Sequence, residues 1–276
     1  MKNKIITVIL LLALVASTLC MTAFATKSYG IGVNIEGVPF TGGIDVRDNT
    51  TFVGIRKFST SMYSNAQVTY NSYTKTLTVK TDKLILTATS GKNYIVANGR
   101  YLYSNTPIYL AGGRMYAPVL LLARAFGATA RWSNNTSSFN ITRGSGWILS
   151  GSSFYREDEV YWLSKIISAE ARGEIMYGKI AVGNVILNRV RSSAFPSTIY
   201  SVIFDRKNGI QFSPVANGTI YNSATEDSII AAKICLEGTS ISNGILYFVN
   251  PNVAPNSWVS RNRPYFAQIG NHAFYL

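Results

Sequence analysis

The hydrophobic period of this chain changes once, at RGSGWILSGSS (143–153). Before that point, runs such as QVTYNSYTKTLTVKT and KLILTATSGKNYIVANGRYLY alternate apolar and polar residues, with Asn, Gly and Ser between them. That is the two-residue period of strands with one buried face. Beyond it, VYWLSKIISAE and YGKIAVGNVILNRVRS carry apolar residues at helical spacing. A single switch of period across a Gly/Ser-rich stretch implies two folding units. They are a β-rich unit over 26–145 and a mainly helical one over 155–276 with a small β portion, joined by a linker at 146–154. The fold class that follows is α+β.

The β-rich unit repeats itself. TFVGIRKF…VTYNSYTKTLTV (51–79) aligns with MYAPVLLLARAFGATARWSNNTSSFNI (115–141), with a shift of two residues along the way. Phe52 corresponds to Tyr116, Tyr70 to Trp132, Thr74 to Thr136, Leu77 to Phe139 and Val79 to Ile141. Each half reads as a strand, a short helix and a hairpin, so the unit is a duplication of one motif. TLTVK (76–80) and LILTA (84–88) form a hairpin through Thr81, Asp82 and Lys83. This pattern resembles the copper amine oxidase N-terminal-like domain, whose repeat is a strand, a Pro, a short helix, a Gly and an exposed Trp before a turn and strand. The region holds no His and no Cys, so it lacks the ligands copper prefers. The resemblance therefore implies a wall-associating or spacer role without chemistry of its own. Tyr63, Tyr73 and Tyr103 are candidates for exposed rings that stack on sugars.

The N-terminus has a pattern of a different kind. MKNK supplies lysines, IITVILLLALVAS is a short apolar run, and Ala23-Phe24-Ala25 forms an A-x-A site. These are the three parts of a secretory signal peptide over 1–25. No other segment is apolar enough for long enough to span a bilayer, so the mature protein is not expected to be an integral membrane protein. Removal of 1–25 takes Lys2, Lys4 and Cys20 and leaves 24 basic residues against 13 acidic ones. A surface that basic suits a polyanion: nucleic acid, anionic lipid or an anionic wall polymer. No nucleic-acid motif accompanies the charge, and secretion argues against such a partner. One cysteine, Cys235, and one histidine, His272, remain. An internal disulfide and a Cys/His zinc site are thereby excluded, and no metal or other cofactor is expected.

Within the helical unit, Val160, Leu163, Ile167 and Glu170 fall on one face of EDEVYWLSKIISAEAR (157–172). Gly173 ends that helix, a second follows over 177–192, and a third over 224–237 has Ser223 as N-cap and Gly238 as terminator. The tail from Ser257 shows no clear period. Glu170 is thus a carboxylate on an inward stripe. Burial there raises its pKa and keeps it protonated, as a general acid requires. The residues alone leave a second reading open, a structural Glu paired with Arg172 or a backbone donor. Glu174, beyond the glycine, reads as exposed or as a cap of the next helix, and as a candidate substrate-binding residue beside Glu170.

The stretch WLSKIISAEARGEIMYGKIAVGNVILNRVRSSAFPSTIYSVIF closely resembles the cell-wall hydrolase family of the spore cortex-lytic type (SleB/CwlJ-like). The likeness continues through GIQFSPV (209–215), AAKICLEG (231–238), LYFVNP (246–251), Trp258 and IGNHAF (269–274). It implies a domain similar to lysozyme-like lytic transglycosylases, acting on peptidoglycan glycan strands between N-acetylmuramic acid and N-acetylglucosamine. By the same resemblance Glu170, the first Glu of AEARGE, is the catalytic acid/base. Hydrolysing glycosidases generally use two carboxylates, and only Asp205 is near another motif. A lytic transglycosylase needs one, and yields 1,6-anhydromuramyl products. Gln211 and Ser213 are candidates for binding N-acetyl or peptide groups, Phe212 for core or cleft wall, and Tyr247 and Asn250 for orienting substrate. Trp258 reads as a sugar platform or a core plug, and His272, in the IGNHAF motif, as a structural histidine or a substrate-binding residue. A water-using muramidase and an inert wall or spore-coat binding protein are the alternatives. The protein is expected to be monomeric, secreted, and associated with cell wall or spore.

Overall fold

The computed structural model describes residues 30–276 apart from Asn208; the expected signal segment 1–25 lies outside the described residues. The β-rich part opens with β1 (Gly32–Ile35), β2 (Val38–Pro39), β3 (Ile44–Arg47) and β4 (Thr50–Gly54), followed by helix α1 (Ile55–Met62). A meander follows: β5 (Gln67–Asn71), β6 (Thr76–Lys80), β7 (Ile85–Thr89), β8 (Tyr94–Ala97) and β9 (Arg100–Tyr103). Then come β10 (Tyr109–Ala111), β11 (Arg114–Pro118), α2 (Val119–Ala125), β12 (Thr129–Ser133) and β13 (Ser138–Thr142). The repeat read from sequence is present as β4-α1-β5-β6 and β11-α2-β12-β13. Its two strand leads pair with each other, antiparallel, with Ala117 opposite Val53. The two hairpins go to different sheets. The first extends into the five-stranded β5–β9 meander, and the second lies beside β1, which runs parallel to β13. Each hairpin sends its aliphatic side inward, with Val79 and Ile141 buried in one common core.

The corresponding aromatics Tyr70 and Trp132 are both partly exposed. Of the three tyrosines nominated for sugar stacking, only Tyr73 is open, at 95% exposure. Tyr63 stacks on Phe126 at 6.0 Å between centroids, and Tyr103 packs against the core of the other half. Period-two alternation says that a strand residue leaves one face of its sheet, but not whether another layer covers that face.

The second half contains α3 (Gly151–Phe154), α4 (Glu157–Ala171), α5 (Met176–Arg191), α6 (Ile199–Ile203), α7 (Ser213–Ala216), a 3₁₀ turn Thr219–Tyr221 and α8 (Glu226–Leu236). It ends with β14 (Tyr247–Val249), α9 (Trp258–Asn262), β15 (Tyr265–Ile269) and β16 (His272–Tyr275), whose strand order is β14-β16-β15. α8 starts two residues later than expected. Its cap is Thr225, whose side chain accepts from Ser228 N, rather than Ser223. The tail that showed no clear period is a helical turn and a hairpin. Its strands are short and bulged at Tyr265/Ala267, which breaks the alternation.

α5 is the central helix. Every residue from Gly178 to Arg189 is buried, because α4 and α8 pack on it and on each other. Gly183 makes that approach possible: a Cβ there would come within 2.7 Å of Cys235 Sγ and 3.0 Å of Ile167 Cδ1. A helix enclosed on all sides has nowhere to send polar side chains except onto neighbouring backbone. Lys179 Nζ donates to the carbonyls of Arg172 and Glu174 beyond the end of α4. Asn184 Nδ2 donates to Thr239 O at 2.9 Å, and its Oδ1 accepts from Ile241 N. Asn188 Nδ2 donates to Ser242 O and Ile245 O, and Arg189 Nε to Leu246 O at 2.8 Å. One stripe of α5 thus holds the 239–246 loop and sets where β14 begins.

The halves meet at a buried carboxylate. Glu237, the C-cap of α8, has a side chain with 0% exposure. Its Oε1 accepts from Arg100 Nε at 2.8 Å and Tyr155 OH at 2.7 Å. Its Oε2 accepts from Arg100 Nη2 at 2.7 Å and Arg124 Nη2 at 2.6 Å. The segment between the halves is held as well: Gly151 N donates to Asn98 O, and Asn98 Nδ2 to Ile148 O. The stretch expected to be a linker is therefore docked on the β8–β9 turn and contains α3.

Candidate active site

Glu170 lies on the last turn of α4 and lines a cleft of about 980 Å³. β14, α9, residues 211–213 and the start of β16 line the same cleft. Seven other residues nominated from sequence line the same cleft: Gln211, Phe212, Ser213, Tyr247, Asn250, Trp258 and His272. They come from four separate segments, brought together because α5 places β14 and the tail hairpin packs on β14 through Phe248↔Phe274.

The carboxyl of Glu170 has no hydrogen-bonding or charged partner among the described residues, so pairing with Arg172 does not occur. Burial alone pushes its pKa up to about 7. Water would stabilise the anion; the packed end of α4 withholds that solvation, and no donor replaces it. Asp205 does not line the cleft; its Oδ1 accepts from Lys207 N in its own turn. Glu170 is the sole carboxylate lining the cleft among the described residues.

Glu174 is placed differently from what the sequence suggests, including the expectation that it binds substrate. It is neither exposed nor a cap. The N-cap of α5 is Ile175, without a side-chain bond, and the Glu174 side chain is 7% exposed. Its Oε1 accepts from Asn271 N at 3.2 Å and Asn271 Nδ2 at 2.9 Å, and lies 3.7 Å from His272 Nδ1. It does not line the cleft. The carboxylate instead holds the β15–β16 turn, where Gly270 has φ +57° and any Cβ would collide with Glu174. Sequence separation hid this, since the partners are 97 residues apart.

His272 is buried, with its ring edge-on to Phe248 at 5.2 Å. Burial pushes its pKa below the usual imidazole range, against the opposing pull of Glu174. The ring is accordingly neutral at neutral pH. Phe212 is both core and cleft wall. Trp258 is 55% exposed at the start of α9, so it is no core plug. Gln211 is half-buried with its amide on Gly209 O, and Ser213 is exposed at the first position of α7.

Sequence reasoning missed Arg189, Phe195, Phe248 and Arg263, which also line the cleft. Arg189 had a readable signal, a cation inside the apolar run of α5. Arg263 had none. Among the described residues no group of three His, Cys, Asp or Glu side chains is placed to hold a metal ion, and no helix is long and apolar enough to cross a membrane.

Residues 173–275 match the Cell Wall Hydrolase family. A cell wall hydrolase of Oceanobacillus iheyensis, CwlJ, is 30% identical over 111 residues, which span 38% of this chain and 77% of that protein. The chain belongs to the cell wall hydrolase family. Among its relatives, the spore cortex-lytic enzyme of Halalkalibacterium halodurans is 36% identical over 120 residues, 44% of this chain and 35% of that enzyme. The chain therefore spans about a third of that relative's length. The catalytic domain of the germination-specific lytic transglycosylase SleB from Bacillus anthracis is 33% identical, with a TM-score of 0.41, over 47% of this chain and 100% of that domain. Residues 32–141 match the copper amine oxidase N-terminal domain, so the family match and this one fall on opposite sides of the Glu237 contact. Glu170 sits three positions ahead of where the family match begins.

Proposed function

We propose that the protein cleaves peptidoglycan glycan strands as a lytic transglycosylase, with Glu170 as its single acid and base. The observation that carries this reading is one unpartnered carboxyl, with a pKa near 7, in a cleft lined by no second carboxylate among the described residues. In its protonated form Glu170 gives its proton to the oxygen linking N-acetylmuramic acid to N-acetylglucosamine. The bond to the muramic C1 breaks, and the neighbouring N-acetyl group supports the cationic carbon. The resulting Glu170 carboxylate takes the proton of the muramic 6-hydroxyl, whose oxygen closes on C1. A 1,6-anhydro ring forms, no water is consumed, and Glu170 ends protonated. A pKa near 7 suits a group that must first give and then take a proton. Tyr247, Asn250 and Gln211 are assigned to holding the acetamido groups, and Trp258 to stacking on a sugar face.

The relatives' names support spore cortex as the substrate. The pattern of residues 1–25 supports secretion. The β-rich half carries 12 Lys/Arg against 4 Asp/Glu over 30–150, which supports adhesion to anionic wall polymers. The protein is assigned as a monomer that needs no cofactor. The test is digestion of purified cortex and vegetative sacculi in parallel, with products identified by mass spectrometry. Anhydromuramyl ends from wild type and none from Glu170→Gln are expected. Reducing muramic ends would make the enzyme a muramidase, and binding without release would make it a wall-binding protein.

A further inference from the structure

Arg189 is a charge in the wrong place for a merely structural residue. It is 5% exposed, yet no acidic side chain lies within ion-pair distance of it among the described residues. Its Nε is used, on Leu246 O. Nη1 is fully buried with no acceptor, and Nη2 has no protein acceptor either. Three rings surround the guanidinium: Phe195 at 4.8 Å, Phe212 at 5.2 Å and Tyr247 at 5.3 Å. Such a cage holds a cation without neutralising it. Asp205 acts only at a distance, too weakly to offset the burial that lowers the Arg189 pKa to about 10. At neutral pH the residue is therefore charged, desolvated and short of acceptors, and it lines the cleft.

A second cation lines the same cleft. Arg263 lies over Tyr247 at 4.7 Å and over Trp258 at 5.0 Å. Tyr247 thus has a guanidinium near it from each of two elements. With Glu170 neutral, the cleft carries two positive charges and no negative one among the described residues. Buried guanidinium groups are ordinarily paired, and the planar fork is matched by a carboxylate.

We propose that Arg189, with Arg263 across Tyr247, forms a subsite for a carboxylate of the substrate. The group is either the free lactyl carboxylate of muramic acid or, where that carboxyl is amide-linked to a peptide, a carboxylate of the peptide. This inference rests on the reading of the cleft as a glycan site. It goes further in making the acidic substituent, and not the sugar alone, a determinant of where the strand is cut.

Three substrates test it with the full wild-type chain. They are glycan strands bearing peptides, strands stripped of peptide so that lactyl carboxylates are free, and the stripped strands with those carboxylates converted to methylamides. If the lactyl group is the ligand, kcat/KM falls about 10- to 100-fold from the second substrate to the third. If the peptide carboxylate is the ligand, a fall of that size comes from the first to the second. Arg189→Met then lowers the preferred substrate more than the poorer one and closes the gap between them. Arg189→Lys keeps the charge, loses the fork, and falls between. Arg263→Gln, at an exposed position, gives a smaller loss with the same selectivity. Equal wild-type rates on all three substrates overturn the subsite and leave the proposed function standing. The wild-type comparison decides this even if the Arg189 variants do not fold. Absence of anhydro products from every substrate removes the proposed function, and the subsite with it.

Discussion

The two halves of the molecule bury different things. Between residues 30 and 150 the buried polar side chains are Thr51, Ser59, Ser138 and Arg100. Three are small hydroxyls, and the fourth faces Glu237 of the other half. Between 151 and 276 they include Lys179, Asn184, Asn188, Arg189, Glu237 and His272. Charge runs the opposite way: 12 basic against 4 acidic residues over 30–150, and 11 against 9 over 151–276. The first half keeps its charges on the surface, where water solvates them and a polyanion can meet them. The second half takes polar groups inside, where each needs a partner or a purpose. Most have partners in the α5 stripe and the Glu237 cluster. Glu170, the outer edge of Arg189 and His272 Nδ1 do not, and all three residues line the cleft. Groups left without partners inside an otherwise satisfied core mark where the fold is set up for a ligand.

The sharpest way to break this contrast is at Glu170. Glu170→Gln is expected to lower glycan cleavage by about 10³-fold, measured as anhydromuramyl release. It is also expected to stabilise the protein at alkaline pH. The unfolded carboxyl ionises near its ordinary 4.5 and the folded one near 7. Below pH 4.5 both states are protonated and the wild type carries no penalty. As pH rises from 4.5 to 7, the folded state alone holds the proton, and the wild type loses about 3 kcal/mol relative to the Gln variant. Melting temperatures at pH 4 and pH 8 check the sign: equal in acid, higher for the variant in base. Wild-type activity is expected to decline as pH rises through 7, with Glu170 losing the proton it must give.

At the seam between the halves, Glu237→Ala removes the acceptor of Arg100, Arg124 and Tyr155 together. Leaving Arg100 buried without its partner costs about 3–5 kcal/mol. Urea unfolding followed in each half is expected to change from one shared transition to two. A single transition of unchanged midpoint would show that the seam contributes nothing.

Glu174→Ala tests a smaller latch. Losing the acceptor of Asn271 costs about 1–3 kcal/mol and frees the turn that carries His272. A moderate fall in melting temperature and a rise in KM are expected. Glu174→Gln, which keeps a carbonyl oxygen for Asn271, is expected to retain most of both. At the rim, Trp258→Ala leaves stability unchanged because the ring is exposed, and raises KM about 10-fold if it stacks on sugar.

Much of this contrast was legible in residue order. The repeat was visible because Val79 and Ile141 must face one core, and that requirement writes the same alternation twice. The inward position of Glu170 was visible from helical spacing with Leu163 and Ile167. Three features were not. The N-cap of α8 was misplaced because Ser223 and Thr225 both offer a hydroxyl ahead of the apolar run, and only the backbone chooses between them. The tail hairpin was hidden by its bulge. The role of Glu174 was hidden because its partner arrives from the far end of the chain.

Residue order alone thus carried most of the elements outside the tail, the duplicated motif, the switch of architecture near residue 150 and the inward carboxylate of α4. Those follow from local periodicity, which each segment carries alone. Only the tertiary structure decided that the linker is docked, that Glu174 ties down a turn, that Glu237 joins the halves, and that Arg189 is left short of acceptors beside the cleft. These depend on which distant groups meet in a space closed to water. There the value of a charge is set by its neighbours, and no local pattern records them.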